Sequence, residues 1–398
     1  MSVAGPKSPK ATGLLAAALL AAAALLASFR QGSWPYVATH HGPAVSRLLA
    51  SERWQQDSRI EVLRGCTNFA CLRAAHALPH GPGELFNFPH AFILGFQKCA
   101  TTSLAAYLTA HPQAAGSTPK EPWFFTRYGN CSHRNSSAPW GCDQQAQQRY
   151  LLETLHRDAV LDSGLTRAAF EASPDYISAS HAEVAAIRRE LPWLKLVVSM
   201  REPISQKMSA IVHWGEFMSI TPRPAWLQKL EIDRKAVPRR DCSERLFKNE
   251  STMYDCLLVA FQEHPEVSGE YHVNLQTWLS VYPRERFHVI QFENLTAKPA
   301  PVLADLQRFV GLDPTLAPQE LPRKNIRKVT YQSQGWPMKR REYEHILSIA
   351  RPRAQQTAAV LEQHGFAHAK EWLAPWEAAW QRNLASCQPN GDCLIQVT

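Results

Sequence analysis

Residues 95–104 read GFQKCATTSL, and this stretch joins two segments of opposite character. The residues just before it, 91–94, form a short continuous apolar run, which is typical of a buried strand in a parallel sheet. Residues 101–110 have helical composition and stop at His111-Pro112. The stretch therefore predicts a strand, a loop and a helix, which is the opening of an α/β unit.

The loop between this strand and helix carries groups that suit a phosphate or a close relative. A strand-to-helix loop points backbone N–H groups and the positive end of the helix dipole at one spot. Lys98 adds a mobile positive charge, and Thr101, Thr102 and Ser103 add hydroxyl donors. The motif differs from the ATP-type P-loop, which places its lysine directly before Ser or Thr and has a second glycine. A strand–helix junction with a chance lysine and threonines is the alternative.

Further strand and helix candidates follow along the chain. Apolar runs at residues 194–200 and 287–292 are each followed by a helical stretch. Helical patterns at residues 338–364 and 371–383 close the chain. This alternation predicts an α/β fold, a three-layer domain with a central, mostly parallel sheet.

The pattern G-x-x-K-x-x-T-T-S after a strand resembles the phosphosulfate-binding loop of sulfotransferases, the enzymes that use 3′-phosphoadenosine 5′-phosphosulfate. The second signature of that family is a strand, an arginine and, eight positions later, a serine, which together grip the 3′-phosphate of the nucleotide. Arg201 and Ser209 stand at that spacing after the second strand candidate. An arginine at a strand end suits bidentate phosphate contact, although a surface ion pair is the alternative for Arg201. The resemblance implies a P-loop-like fold and donor binding by Lys98, Cys99, Ala100, Thr101, Thr102, Ser103, Arg201 and Ser209.

Residues 120–125 read KEPWFF, which is similar to the K-E-x-x-F-F segment of Golgi glycan sulfotransferases. In the heparan sulfate relatives the carboxylate at the place of Glu121 is the general base for the acceptor hydroxyl. A base is expected because an alcohol must lose its proton as it attacks sulfur. The resemblance thus implies Lys98 and Glu121 as the catalytic residues. A structural pairing of Glu121 with Lys120 or a nearby arginine is the alternative.

Within this superfamily the chain looks closest to heparan and chondroitin-type enzymes, including N-acetylgalactosamine 4-sulfate 6-O-sulfotransferase. The implied acceptor is a glycan hydroxyl, on a glycosaminoglycan or another anionic polysaccharide. Ala100 stands where the loop commonly has glycine, so a tighter backbone approach to the phosphosulfate is expected. Ala172 stands where heparan sulfate 3-O-sulfotransferases have a lysine, which favours the chondroitin-like branch or an unassigned one.

The first thirty residues indicate entry into the secretory route. Lys7 and Lys10 precede an unbroken apolar run, residues 13–28, about long enough to cross a bilayer. The lysines favour a cytosolic N-terminus. The predicted organisation is a cytosolic tail (1–11), a signal-anchor helix (12–29), a stem (30–88) and a sulfotransferase domain (89–398), in a single-pass type II protein of the Golgi membrane. A cleaved signal peptide and a secreted chain are the alternative.

The cysteines and glycosylation sequons agree with a lumenal domain. Eight of the nine cysteines fall into sequence-local couples that leave Cys99 over, and disulfides are expected in an oxidising lumen. Sequence does not fix their connectivity, so local pairing is a hypothesis. The couples are Cys66 with Cys71, Cys131 with Cys142, Cys242 with Cys256, and Cys387 with Cys393. The sequons are at Asn130, Asn135, Asn249 and Asn294.

The net charge of +8, with a pI near 9.0, favours anionic partners such as nucleotide phosphates and sulfated glycans. Nucleic-acid binding is not expected, because the basic residues are scattered and the chain looks lumenal. No metal cofactor is expected, since no C-x-x-C cluster is present and sulfuryl transfer requires no metal. Two other functions stay open: a lumenal nucleotide-dependent kinase, and a non-catalytic glycan-binding protein on a sulfotransferase fold.

Overall fold

The computed structural model describes residues 58–126, 144–218, 238–262, 270–317, 320–322 and 335–398. The predicted anchor, residues 12–29, and most of the predicted stem lie outside these ranges. Within them, no helix is long and apolar enough to cross a bilayer.

Five parallel strands form the central sheet, in the order β2-β3-β1-β4-β5. The predicted parallel α/β sheet is confirmed, and the three predicted strands correspond to β1, β4 and β5. β2 and β3 were not predicted, because strands of three and four residues are too short to show a recognisable apolar pattern. The strands are β1 (Ala91–Gly95), β2 (Ala114–Gly116), β3 (Ala168–Glu171), β4 (Lys195–Met200) and β5 (Phe287–Gln291).

Helices flank this sheet, and a separate antiparallel pair, β6 (Trp336–Lys339) and β7 (Asp392–Ile395), lies near the end of the chain. A π-helical turn, Tyr150–Thr154, follows directly on α4. The described helices are α1 (Arg59–Gly65), α2 (Phe69–His76), α3 (Thr101–Thr109), α4 (Gln144–Arg149), α5 (Arg157–Asp162), α6 (His181–Glu190), α7 (Pro203–Met218), α8 (Pro238–Phe247), α9 (Met253–Gln262), α10 (Tyr271–Leu279), α11 (Phe292–Ala297), α12 (Pro299–Val310), α13 (Arg340–Gln363) and α14 (Ala369–Ala385).

The two faces of the sheet are buried in two separate apolar clusters. Successive side chains of a strand point to opposite faces, so β1 sends Phe92 and Leu94 to the larger cluster and Ile93 to the smaller one. Helices α3 and α12 cover the smaller cluster, and α6, α7, α10, α13 and α14 contribute to the larger one. Burial on both faces explains the continuous apolar runs from which these strands were predicted.

The region before residue 89 contributes to the same core. Leu63 of α1 and Phe69 of α2 belong to the larger cluster, and a disulfide links Cys66, directly after α1, to Cys71 of α2. Arg73 of α2 forms an ion pair of 2.8 Å with Glu190 at the end of α6. These contacts attach α1 and α2 to the body of the domain.

Local disulfide pairing is confirmed for three of the four cysteine couples. The bonds are Cys66–Cys71, Cys242–Cys256 and Cys387–Cys393. The fourth couple, Cys131 and Cys142, lies outside the described residues. Cys99 is a buried free thiol, and burial raises its pKa to about 12.

Candidate active site

The loop between β1 and α3 lies at the carboxyl edge of the sheet, between the ends of β3 and β4. In open parallel α/β sheets, ligands bind just beyond the carboxyl ends of the strands. The usual place is the switch point, where successive connections run to opposite sides of the sheet. β1 ends at Gly95, whose φ of 151° and close surroundings suit only glycine. An added Cβ there would lie 2.7 Å from Ile177 and 2.8 Å from the carbonyl oxygen of Pro174. The loop therefore starts in close contact with the segment that follows β3.

Two residues of the loop have left-handed backbone conformations. Lys98 and Ala100 both have a φ of 65°. Ala100 is the N-cap of α3 and provides no side-chain cap, and the first amide groups of a helix have no partner inside the helix. Left-handed residues within such a loop turn successive N–H groups towards one concavity, an anion-binding arrangement. The geometry fits the anionic ligand that the sequence predicts for this loop.

Side chains from β4, from α7 and from the turn between them hold three consecutive carbonyl groups of the loop. The hydroxyl of Ser199 donates to the carbonyl of Cys99 at 2.6 Å. The amide of Gln206 donates to the carbonyl of Gln97 at 3.0 Å, and Arg201 donates to the carbonyl of Lys98 at 3.4 Å. The loop carbonyls therefore point towards β4. The opposite side of the loop is available for its amide groups.

The polar side chains of the predicted donor loop lie at the start of α3. Lys98 and Thr102 are half-buried, whereas Thr101 and Ser103 are buried. A cation and three hydroxyl groups therefore stand in the same turn as the helix N-terminus. Each of these groups is attractive to an anion, and the positive end of the α3 dipole adds to them.

Arg201 follows β4 directly and lies against the loop. Its side chain is buried, its guanidinium stands 4.4 Å from the centre of the Phe292 ring, and burial lowers its pKa. Its Nε atom is buried without a hydrogen-bond partner among the described residues. This buried location of Arg201 differs from the surface ion pair that was the alternative interpretation. An unsatisfied buried donor is a sign of a polar ligand.

Ser209 lies on α7 and is buried. It stands three residues after Gln206, so the two side chains share one face of the helix. Gln206 contacts the donor loop, which places Ser209 one turn further along the same face. The carboxylate of Glu202 fixes the start of α7 by accepting hydrogen bonds of 2.7 Å from the amides of Ile204 and Ser205.

Glu121 stands on a segment that is hydrogen-bonded to the residues after β3. The amide of Ala172 donates to the carbonyl of Lys120 at 3.2 Å, and the amide of Trp123 donates to the hydroxyl of Ser173 at 3.3 Å. The carboxylate of Glu121 lies 2.5 Å from the ammonium group of Lys120, and both side chains are about one-third exposed. The pairing that the sequence left open is therefore present, and Glu121 remains accessible from solvent.

The segment 172–174 connects the two halves of the candidate site. Pro174 contacts Gly95 at the start of the donor loop, and Ser173 contacts Trp123 on the Glu121 segment. The sheet order places β3 on one side of β1 and β4 on the other. The segment that carries Glu121 therefore lies on the β3 side of the loop, and Arg201 lies on its β4 side.

Glu171, the last residue of β3, is a buried carboxyl group that was not predicted from the sequence. Its side chain is fully buried among the larger cluster, beside the phenol groups of Tyr176 and Tyr150. Burial raises its pKa to about 8, and the neighbouring phenols oppose that rise. A glutamate directly after the short apolar run at residues 168–170 was the available signal, but a run of three residues does not identify a strand.

The chain contains short clusters of neighbouring basic residues, and most of them lie outside the described residues. This holds for residues 234–235, 323–324 and 327–328, and for the side chains of Arg239 and Arg240. In the remaining cluster, Lys339 pairs with Asp392 and Arg340 pairs with Glu344. Within the described ranges, no group of three or more His, Cys, Asp or Glu residues is arranged to hold a metal ion.

Comparison with known proteins gives a consistent result. The family model of the sulfotransferase domain matches residues 88–349. Carbohydrate sulfotransferase 15 of Homo sapiens is 23% identical over 345 residues, which cover 76% of this chain and 59% of that protein. Heparan sulfate glucosamine 3-O-sulfotransferase 6 of Homo sapiens is 27% identical over 237 residues, which cover 59% of this chain and 55% of that protein.

A third relative comes from Dictyostelium discoideum. The membrane-associated sulfotransferase kil1 of Dictyostelium discoideum is 22% identical over 289 residues, 58% of each chain. The chain thus spans less than two-thirds of the length of each of these three relatives.

Proposed function

Because this chain belongs to the sulfotransferase family, we propose that it transfers a sulfuryl group from 3′-phosphoadenosine 5′-phosphosulfate to a hydroxyl group of a glycan. The observation that carries the proposal is the β1–α3 loop. Its carbonyls are held towards β4 by Ser199, Arg201 and Gln206, and Lys98 stands at the uncapped N-terminus of α3. This arrangement suits the phosphosulfate group of the donor.

The donor nucleotide would be held at two places. The loop amides of residues 98–103, with Lys98 and the hydroxyls of Thr101, Thr102 and Ser103, would bind the phosphosulfate. Arg201 and Ser209 would bind the 3′-phosphate, for which the buried and unsatisfied Nε of Arg201 is a fitting donor. The described residues fit this co-substrate, and the chemistry asks for no metal.

Sulfuryl transfer at this site would need one base and one source of positive charge. The acceptor oxygen forms a bond to sulfur, the bond from sulfur to the bridging phosphate oxygen breaks, and that oxygen keeps the electron pair. Glu121 would take the proton of the acceptor hydroxyl. Lys98 and the loop amides would stabilise the negative charge that develops on the bridging and sulfuryl oxygens, as preorganised donors do elsewhere.

The acceptor is proposed to be an anionic polysaccharide such as a glycosaminoglycan. Two relatives carry carbohydrate or heparan sulfate glucosamine in their names, and the net charge of this chain is +8. We further propose a single-pass type II protein of the Golgi membrane, anchored by residues 12–29, with its catalytic domain in the lumen. The three disulfides suit that oxidising compartment.

Transfer assays with the detergent-solubilised full chain test this function. We expect radiolabelled sulfate to pass from the phosphosulfate nucleotide to at least one glycan of a panel containing chondroitin, chondroitin 4-sulfate and heparan sulfate. Lys98→Ala should lower turnover by about 100-fold or more, as removal of a transition-state donor does. Lys370→Ala, which changes an exposed lysine on α14, is the matched control.

Two results would contradict the proposal. Transfer of phosphate from ATP would indicate a kinase, and nucleotide binding without any transfer to the panel would indicate a non-catalytic glycan-binding protein. Near-normal turnover of Lys98→Ala would show that Lys98 is not a catalytic residue.

A further inference from the structure

Trp123 is a large aromatic side chain that is exposed beside the proposed base. It is 39% exposed, whereas the two residues that follow it, Phe124 and Phe125, are 7% and 0% exposed. Burial of an indole ring is favourable, so a tryptophan left in contact with solvent at a site edge is a candidate ligand contact. Glu121 lies only two residues before it.

The backbone holds Trp123 in this outward position. Its φ is 50°, a left-handed conformation that bulky residues rarely adopt. Its amide donates to the hydroxyl of Ser173 at 3.3 Å, and its carbonyl accepts from the amide of Thr126 at 3.4 Å. Local strain of this kind persists only where surrounding contacts fix the conformation, and it is concentrated at functional sites.

The residues after Trp123 form a rigid base for its ring. Phe124 stacks on Tyr150 with ring centres 4.0 Å apart and planes 14° apart. Phe125 stacks on Phe69 with ring centres 5.6 Å apart. Because these rings are packed in the core, the backbone that carries the indole of Trp123 is already fixed before a ligand binds.

The position of Trp123 relative to the strands of the sheet indicates which ligand it would contact. It is attached to the β3 side of the donor loop through Ser173, together with Glu121. Arg201 and Ser209, which would bind the nucleotide, lie on the opposite side, after β4. The acceptor, whose hydroxyl must reach Glu121, is therefore the nearer ligand.

We propose that the indole of Trp123 is a stacking platform for the acceptor, on which the apolar C–H face of a sugar ring rests while a hydroxyl of that glycan points to Glu121. This inference rests on the proposed function and names a specificity-determining residue of the same site. Aromatic surfaces combined with a few placed polar groups are the usual means by which a site fixes the orientation of a ligand. Trp123 contributes the surface, and Glu121 contributes the polar group.

Acceptor kinetics of the full chain test the platform. With chondroitin 4-sulfate or heparan sulfate as the probe, whichever accepts sulfate, we expect Trp123→Ala to raise the acceptor KM by about tenfold. That change corresponds to about 1.4 kcal/mol, which lies within the range of single aromatic contacts. The KM for the donor nucleotide should stay within about twofold. Trp123→Phe, which keeps a ring, should recover part of the acceptor affinity.

Leu316→Ala is the matched control, because Leu316 is an exposed apolar side chain, 48% exposed, outside the candidate site. An unchanged acceptor KM in Trp123→Ala, in a protein whose wild type transfers sulfate normally, would overturn the platform alone. A raised donor KM with an unchanged acceptor KM would also overturn it, since the ring would then serve the nucleotide. Absence of transfer by the wild type would overturn the proposed function, and this inference with it.

Discussion

The hydroxyl of Ser199, on β4, donates a hydrogen bond of 2.6 Å to the carbonyl oxygen of Cys99, in the loop after β1. The two residues are one hundred positions apart in the chain. Both are fully buried, so this bond fixes the loop from the inside of the domain. The backbone of the donor loop is thus shaped by the neighbouring strand as well as by its own sequence.

Ser199→Ala should weaken donor binding. The substitution leaves the buried carbonyl of Cys99 without this donor, which destabilises the native conformation of the loop by about 1–3 kcal/mol. We expect the dissociation constant of the product nucleotide, adenosine 3′,5′-bisphosphate, to rise by about tenfold in calorimetric titration. Ser163→Ala is the matched control, because it removes a hydroxyl–carbonyl bond of the same 2.6 Å length away from the site. Equal nucleotide affinity in the two variants would contradict a positioning role for Ser199.

The donor loop was predictable from sequence because its signals are local. The apolar run, Lys98, the threonines and the start of α3 lie within about fifteen residues, and the loop chemistry follows from their order. Ser199 and Gln206 were not predicted, since their role depends on contacts with carbonyl groups about one hundred residues earlier. No spacing rule connects a serine inside an apolar strand to a distant backbone carbonyl.

The acceptor side was less predictable than the donor side. Glu121 was found through its motif, but its loop is fixed by segment 172–174, which follows a strand too short to recognise. The left-handed conformation of Trp123 has no sequence signal either, because an aromatic residue is among the least expected there. Both features arise from packing between segments.

Ala100→Gly should stabilise the protein. Ala100 has a φ of 65°, a conformation that costs a residue with a Cβ about 1 kcal/mol and that glycine adopts freely. We expect a rise in the free energy of unfolding of about that size, measured by denaturant titration. Ala106→Gly, in the interior of the same helix, is the control of opposite sign and should destabilise by about 1 kcal/mol. Destabilisation by Ala100→Gly would show that the methyl group of Ala100 contributes more through packing than its backbone strain costs.

Glu121→Gln should abolish most turnover while leaving nucleotide binding intact. A glutamine keeps the size of the side chain but cannot accept the proton of the acceptor hydroxyl, so we expect turnover to fall by about 100- to 10,000-fold. Calorimetric titration with adenosine 3′,5′-bisphosphate should show an unchanged affinity, because Lys98 and Arg201 are untouched.

Lys120→Met distinguishes the role of Glu121 as a base from its role as the ion-pair partner of Lys120. It breaks the same 2.5 Å contact between Lys120 and Glu121, and exposed pairs of this kind contribute about 0–1 kcal/mol to stability. If Glu121 has only a structural role, Glu121→Gln and Lys120→Met should lower turnover equally. If Glu121 is the base, the large loss of turnover should occur in Glu121→Gln alone.

Glu171 should make the stability of the domain fall as the pH rises. Its pKa is about 8 in the folded chain against an ordinary value of 4.5, so the folded state holds a proton that the unfolded state releases. Its contribution to stability is full below about pH 4.5, declines as the pH rises towards about 8, and is lost above that value.

Buried histidines such as His76 and His90 have lowered pKa values, so their effect on stability with pH has the opposite sign at acidic pH. The comparison of wild type with Glu171→Gln cancels those groups. We expect the free energy of unfolding of the wild type to decline relative to the variant between pH 5 and pH 8, whereas Glu285→Gln, at an exposed carboxyl, should follow the wild type. Parallel curves for wild type and Glu171→Gln would show that Glu171 is ionised in the folded protein, with its charge compensated by the neighbouring phenols.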